Sequence, residues 1–307
     1  MRTEEETTSL GGICDLFGYS RQAYYQYNNK EYESFAGKEI ILEYIREIRK
    51  LSPKMGARKL LVMIQSQKNL PVPGRDKLIS WLREEGLLVK TRIRRCSTTD
   101  SAHRFHKYSN LIREFVPYRR NQLWVTDITY IQTQQGFIYL NLITDAYSRK
   151  IIGWRLAPTL EAKYSTQALD MAIDNAEEGL ENLIHHSDRG VQYCCIRYTD
   201  ILINKGIKIS MTESGDPLEN AIAERVNGVL KQEWIHNMDF KDIEEAQESI
   251  STIIDFYNNE RPHSSIDMLT PNVAHSLVGV IQRRWKNYYK IKKEKEEYIE
   301  DEIYEYV

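Results

Sequence analysis

The chain has 307 residues, 41% hydrophobic and 28% charged, which suits two or three soluble domains with packed cores. No run approaches the roughly 18 to 20 apolar residues of a membrane helix, and the opening "MRTEEETTSLGG" is acidic and polar, unlike a secretory signal. The net charge of −2 is segregated: Arg46 to Arg120 holds 19 Lys and Arg against 6 Asp and Glu, while Glu294 to Val307 holds 7 acids and one lysine. A basic segment on a near-neutral chain suits a polyanionic partner such as nucleic acid; a solvated basic face is the plainer alternative.

In chain order, "LGGICDLFGYSRQAYYQY" (Leu10 to Tyr27) reads as two short helices joined at Gly18-Tyr19, with Ser20 as N-cap of the second. That is a helix-turn-helix outline, shared with any small helical hairpin. "AGKEIILEYIREIRKL" follows with a helical stripe of Ile40, Ile41, Tyr44, Ile45 and Ile48. "GARKLLVMIQSQ" and "VPGRDKLISWLREEGLLVK" complete a helical set, with Pro73 near a start and Gly86 as a stop. Arg58, Lys59, Arg75 and Lys77 are candidate phosphate contacts. "KTRIRRCSTTDSAHRFHKYSN" lacks periodicity and reads as a basic linker, in which Arg92, Arg94 and Arg95 are further candidate DNA contacts. Cys96, His103 and His106 lack the paired spacing of structural zinc. With no disulfide pattern among Cys14, Cys96, Cys194 and Cys195, reduced thiols in a cytoplasm are expected.

From Asn121 the texture changes. "QLWVTDITYIQT" and "GFIYLNLITDAY" are strands about a turn at Gln134-Gln135-Gly136, and "KIIGWRLA" is a third. "TLEAKYSTQALDMAIDNAEE" is an amphipathic helix, "NLIHHSD" a short buried strand, "IRYTDILINKG" a helix, "IKISMT" a strand and "PLENAIAERVNGVLKQEWI" a long helix. Three strands followed by alternating helices and strands predict a mixed sheet with helices packed on it.

Three acids stand out. Asp127 sits inside an apolar strand, where it is costly unless hydrogen-bonded or metal-bound. Asp188 ends the fourth strand, where a turn role is the plain alternative. Glu224 lies about one turn into the last helix, where exposed acids are common. In a mixed sheet the first and fourth strands can be neighbours, with the helix beside them. Such a cluster suits hard cations and two-metal phosphoryl transfer.

Asp188 and Glu224 are separated by 35 residues. The pattern Asp127, Asp188, Glu224 resembles the DDE motif of transposases and retroviral-type integrases, on a ribonuclease H-like fold. "WVTDITYI", "LITDAYSRKIIGW", "HHSDRGVQY", "GDPLENAIAERVNGVLKQE" and "FYNNERPHSSIDMLTPNVA" resemble, in order, the blocks of the OrfB-type transposases of bacterial insertion sequence family three. The similarity runs from Gly12 to Ala274.

The resemblance implies an α/β, ribonuclease H-like mixed five-stranded sheet with flanking helices, preceded by an all-α helix-turn-helix DNA-binding region. It implies that Asp127, Asp188 and Glu224 hold two Mg²⁺ ions, with Mn²⁺ as a substitute, and that Lys231 touches DNA near the reacting end. His185, His186 and Arg189 are candidates to contact phosphate or orient the carboxylate, and Asn220 fills the family's small-polar slot. The chain departs from the family at Leu218, Glu219, Val226 and Asn227, none of which is expected to touch the triad. Cys194-Cys195 reads as core, and His263 of "NNERPHSS" as a DNA contact or a structural residue.

The implied segments are a helix-turn-helix-like stretch (1–35), a helical DNA-binding domain (36–92), the basic linker (93–118), the catalytic domain (119–276) and a charged helical or disordered tail (277–307). The implied function is a DNA transposase that binds terminal inverted repeats and target DNA. It would act as a homo-oligomer in the bacterial cytoplasm at the nucleoid, with a first-frame partner or fusion possible and no membrane. A DNA-binding regulator without cutting activity, or a simple nuclease, are the competing classes.

Overall fold

The structure, a computed structural model, describes residues 9–89, 104–176, 180–213 and 217–282. The chain divides into two units, one formed by 1–51 and 55–89, the other by 52–54 and 90–307. None of the described helices is long and apolar enough to cross a membrane.

The first unit is helical: α1 (Leu10–Leu16), α2 (Arg21–Leu51), α3 (Ala57–Ser66) and α4 (Arg75–Glu84). The Ser20 hydroxyl accepts from the Ala23 amide at 3.0 Å, so the N-cap read from the sequence is present. The second and third helices of the sequence reading are a single one. α2 runs unbroken for 31 residues through the expected boundary at 35/36. The intervening stretch, residues 28–35, has no proline or glycine, and its Lys and Glu are good helix formers. The core comes from Ile41, Leu42, Ile45 and Ile48 of α2, Leu60 and Ile64 of α3, and Leu78 and Leu82 of α4. Gly86, at φ +67°, ends α4, and the Leu87 amide then bonds back to the Leu82 carbonyl at 2.7 Å.

The second unit carries the mixed five-stranded sheet: β1 (Leu123–Thr133), β2 (Gly136–Asp145), β3 (Ile151–Ala157), β4 (Ile184–Ser187) and β5 (Lys208–Met211), in the order β3-β2-β1-β4-β5. β2 runs antiparallel to β1 and β3, while β1, β4 and β5 are mutually parallel. The helices α5 (Ala162–Asp174), α6 (Val191–Cys194), α7 (Ile196–Asn204), α8 (Ala221–Glu233), α9 (Ile243–Asn259) and α10 (Pro271–His275) complete the unit.

One sheet face buries Trp124, Ile143 and Ile152 against Ala168, Leu169, Tyr198 and Leu202. The other buries Leu123, Val125, Ala146 and Ile184 against Ala223 of α8. Alternation along β1 therefore sends odd-numbered residues, Asp127 among them, toward α8. Gly153 of β3 lets α5 lie close, since a Cβ there would fall 2.2 Å from the Ala168 carbonyl oxygen. The described part of the expected linker is tied down. The Leu111 amide donates to Ser210 Oγ at 2.9 Å, and Tyr108 and Ile112 pack against the two cores.

Candidate active site

β1 pairs with β4 only from Leu123 to Val125, and Val125 lies opposite His186. Asp127 and Asp188 each stand two residues past that last pair. The parallel register thus brings two carboxylates to the same level where the strands diverge. Asp127 remains paired to β2 opposite Leu142. Its Oδ1 accepts from the Ile128 amide at 2.9 Å and its Oδ2 from Asn227 Nδ2 at 2.8 Å. Asp188 Oδ1 accepts from the Gly190 amide at 2.9 Å, a turn that closes the strand and aims the carboxylate at the sheet's edge.

Glu224 is exposed in the first turn of α8. The 3-10 turn Pro217–Asn220 leads into that helix, and Asn220 anchors it by donating to the Thr126 carbonyl at 3.0 Å. Asn227 adds a second tether about two turns later, at Asp127 itself. The expectation that Asn227 stays clear of the triad is therefore corrected. Its place one turn beyond Glu224 carried the signal, because i and i+3 share a helix face.

Burial raises the Asp127 carboxyl to about 7; the Asp188 charge adds to this, the bonds from Asn227 and Ile128 oppose it, and Glu224 raises it further. Like charges crowded in a half-dry site favour a proton or a cation. Tyr193 lies beneath, 2% exposed, its hydroxyl 3.4 Å from Thr126 Oγ1. Burial first, then Asp188 and Asp127, push its phenol well up, so it stays neutral under the two aspartates. Among the described residues no three Asp, Glu, His or Cys side chains are gathered closely enough to hold a metal ion as they stand. The donor set still fits a hard divalent cation: carboxylate oxygens whose mutual repulsion a cation would relieve.

Two models, each described as an integrase core domain, match residues 117–217 and 205–271. An insertion element IS600 uncharacterized 31 kDa protein of Shigella sonnei is 33% identical over 267 residues, covering 84% of this chain and 96% of that protein. The chain belongs to the DDE-type transposases of IS3-type insertion sequences. The transposase InsF for insertion sequence IS3A of Escherichia coli K12 is 34% identical over 192 residues, 62% of this chain and 66% of that one. The transposase for insertion sequence element IS629 of Shigella sonnei is 36% identical over 176 residues, and the chain spans 59% of its length. The HTLV-2 integrase catalytic core domain in complex with magnesium aligns at a TM-score of 0.43 and 15% identity, over 52% of this chain and 99% of that one. A simian T-cell lymphotropic virus intasome chain aligns at 0.46 and 13% identity, over 78% and 77%.

In this transposase Lys231 shares α8 with Glu224, and its Nζ stands 3.9 Å from the centre of the Tyr130 ring. Tyr130 in turn meets the exposed Phe137 edge-on, 5.4 Å between centroids. Arg189 is half-buried beside Asp188.

The histidines are corrected. His186 is fully buried, its Nδ1 2.9 Å from Ser210 Oγ, and burial lowers it to about 4. His185 is buried against the Tyr198 hydroxyl at 3.0 Å and lowered to about 3, chiefly by burial. Neither is exposed to meet a phosphate. Both lie on a strand sandwiched between two others, which period-2 reasoning on a short segment does not reveal. His263 is also buried, with its Nδ1 accepting from Ser265, so its role is structural.

In the helical unit Arg58 is exposed and Lys59 half-buried, Arg75 pairs with Asp76 at 2.9 Å, and Lys77 lies over the Trp81 ring at 5.1 Å. Arg92, Arg94 and Arg95 lie outside the described residues.

Proposed function

We propose that Asp127, Asp188 and Glu224 form the catalytic site, holding two divalent ions, Mg²⁺ by preference and Mn²⁺ as a substitute. The observation that carries this is the register that brings Asp127 and Asp188 to one level where β1 and β4 diverge, with α8, which bears Glu224, tied to Asp127 through Asn227 at 2.8 Å. Held by these carboxylates, divalent ions would supply Lewis-acid chemistry, offsetting charge on the phosphate and favouring attack by an oxygen nucleophile.

The chain's own groups do the rest. β1 and β4 hold two carboxylates at one level, and α8 supplies the third on a rigid element. Lys231, steadied on Tyr130, contacts DNA near the reacting end, and Arg189 meets phosphate beside Asp188. Arg58, Lys59, Arg75 and Lys77, with Arg92, Arg94 and Arg95, contact the backbone of the terminal inverted repeats.

The reaction runs in two balanced displacements. Water attacks the phosphorus at the element's end, its proton is released, and the P–O3′ bond breaks to leave a 3′-hydroxyl and a 5′-phosphate. That hydroxyl attacks a target phosphodiester; a new P–O bond forms and a second 3′-hydroxyl departs. Two ends are joined by a homo-oligomer on DNA, with or without a first-frame partner, at the bacterial nucleoid.

The test is incubation of the full chain with labelled DNA bearing the element's ends and Mg²⁺ or Mn²⁺. Asp127→Asn, Asp188→Asn and Glu224→Gln should each abolish nicking and joining while binding DNA nearly as wild type. Cutting by any of them at the wild-type rate removes that residue from the site. Binding by the wild type without cutting, even with a first-frame partner added, points to a regulator instead.

A further inference from the structure

Asn227 is 5% exposed, yet only half of its amide is used. Nδ2 donates to Asp127 Oδ2 at 2.8 Å, while Oδ1 has no hydrogen-bond partner among the described residues. Against the ionised Asp127 that a cation requires, the amide must present Nδ2, because the reverse would set two oxygens face to face. A buried carbonyl oxygen without a donor costs about 1–3 kcal/mol, and a leucine would fill the gap between α8 and β1 without that cost. Asn227 lies on the helix face that carries Glu224, one turn away, and its amide abuts the Asp127 carboxylate. An amide oxygen is a hard donor of the kind divalent cations and their bound waters accept.

We propose that Asn227 is a fourth oxygen donor of this site, fixing Asp127 through Nδ2 and presenting Oδ1 to the hydrated divalent cation. The inference rests on the triad being the metal site. Asn227 acts as a positioning residue for Asp127 and as a metal-shell contact, so its effect is read in metal affinity before any DNA is present. Partners of this kind typically change metal affinity 10- to 100-fold.

The experiment is calorimetric titration of the full chain with Mg²⁺ alone and with Mn²⁺ alone, alongside the metal-induced rise in Tm. Asn227→Leu should bind either ion about tenfold more weakly. Asn227→Asp, which puts charge on the donor oxygen, should bind at least as tightly as wild type while its metal-free Tm falls. Asn227→Ala replaces the leucine variant if that one does not fold. An apolar variant that binds within twofold of wild type overturns the proposal, as does an Asn227→Asp variant weakened as much as Asn227→Leu. Asp188→Asn separates the two readings: if it binds metal as wild type does, the triad assignment fails; if it loses the metal while the Asn227 variants keep it, only the role of Asn227 fails.

Discussion

Single side chains in this protein change meaning with depth. His185 and Asp188 are three residues apart, yet one is sealed against Tyr198 and the other stands at an open edge. His185 is held near 3 against an ordinary 6.5. The unfolded chain therefore binds the proton first, and the stability that neutral His185 contributes is complete above about 6.5 and is lost as pH falls from there toward 3. Denaturant midpoints across that window should drop in the wild type and drop less in His185→Gln; parallel curves would dismiss His185 as the acid-sensitive group. Lys231 poses a different question. Over Tyr130 its ammonium gains about 0.5–2 kcal/mol of cation–π attraction, which steadies the head but leaves it reachable. Lys231→Ala should reduce use of the terminal base pairs more than total DNA affinity, compared by footprinting on end-bearing and unrelated DNA. An equal loss on both would make it a general phosphate contact.

At the scale of elements, stability gathers where the catalytic helix is held. Arg261 is 2% exposed, and its Nε and Nη2 reach the two carboxylate oxygens of Glu233 at 2.8 Å each. That bidentate pair fastens the last residue of α8 to the loop after α9, while Asn220 and Asn227 fasten its other half to β1. Removing one partner of a buried pair strands the other charge, at about 3–5 kcal/mol. Arg261→Ala should lose that much in urea unfolding, and Arg261→Met with Glu233→Leu should recover most of it. Failure of the double variant to recover would mean the pair sets geometry rather than satisfying charge. On the opposite face, Gly153→Ala drives a methyl into the Ala168 carbonyl of α5. Overpacking of this kind costs about 1–3 kcal/mol, and an unchanged Tm would show that α5 can slide outward freely.

For the whole molecule, a net charge of −2 conceals a basic segment from Arg46 to Arg120. DNA affinity should accordingly fall steeply with salt, log K losing about 0.9 per phosphate contact for each unit of log salt. Chelating divalent metal should stop cutting and leave this binding in place. A flat salt response would refute a phosphate-dominated interface. Binding that vanishes with chelation would mean the metal organises the DNA site as well as the chemistry.

Local signals sufficed for much of this. Ser20, Gly86 and the Gln134-Gln135-Gly136 turn follow from side-chain caps and positive-φ glycine, which act within a few residues. Alternation and order of the strands gave the mixed sheet, and the resemblance of five ordered blocks pointed to the triad. Periodicity could not see that α2 is one helix, because its middle is polar and a polar helix leaves no apolar stripe. Nor could it separate His186 from Asp188, since burial on a central strand depends on what β1 and β5 supply from either side. The partnership of Asn227 with Asp127 bridges 100 positions of chain. Hydrogen bonds are decided by distances of a few ångströms, and only the packing of α8 on β1 closes that one.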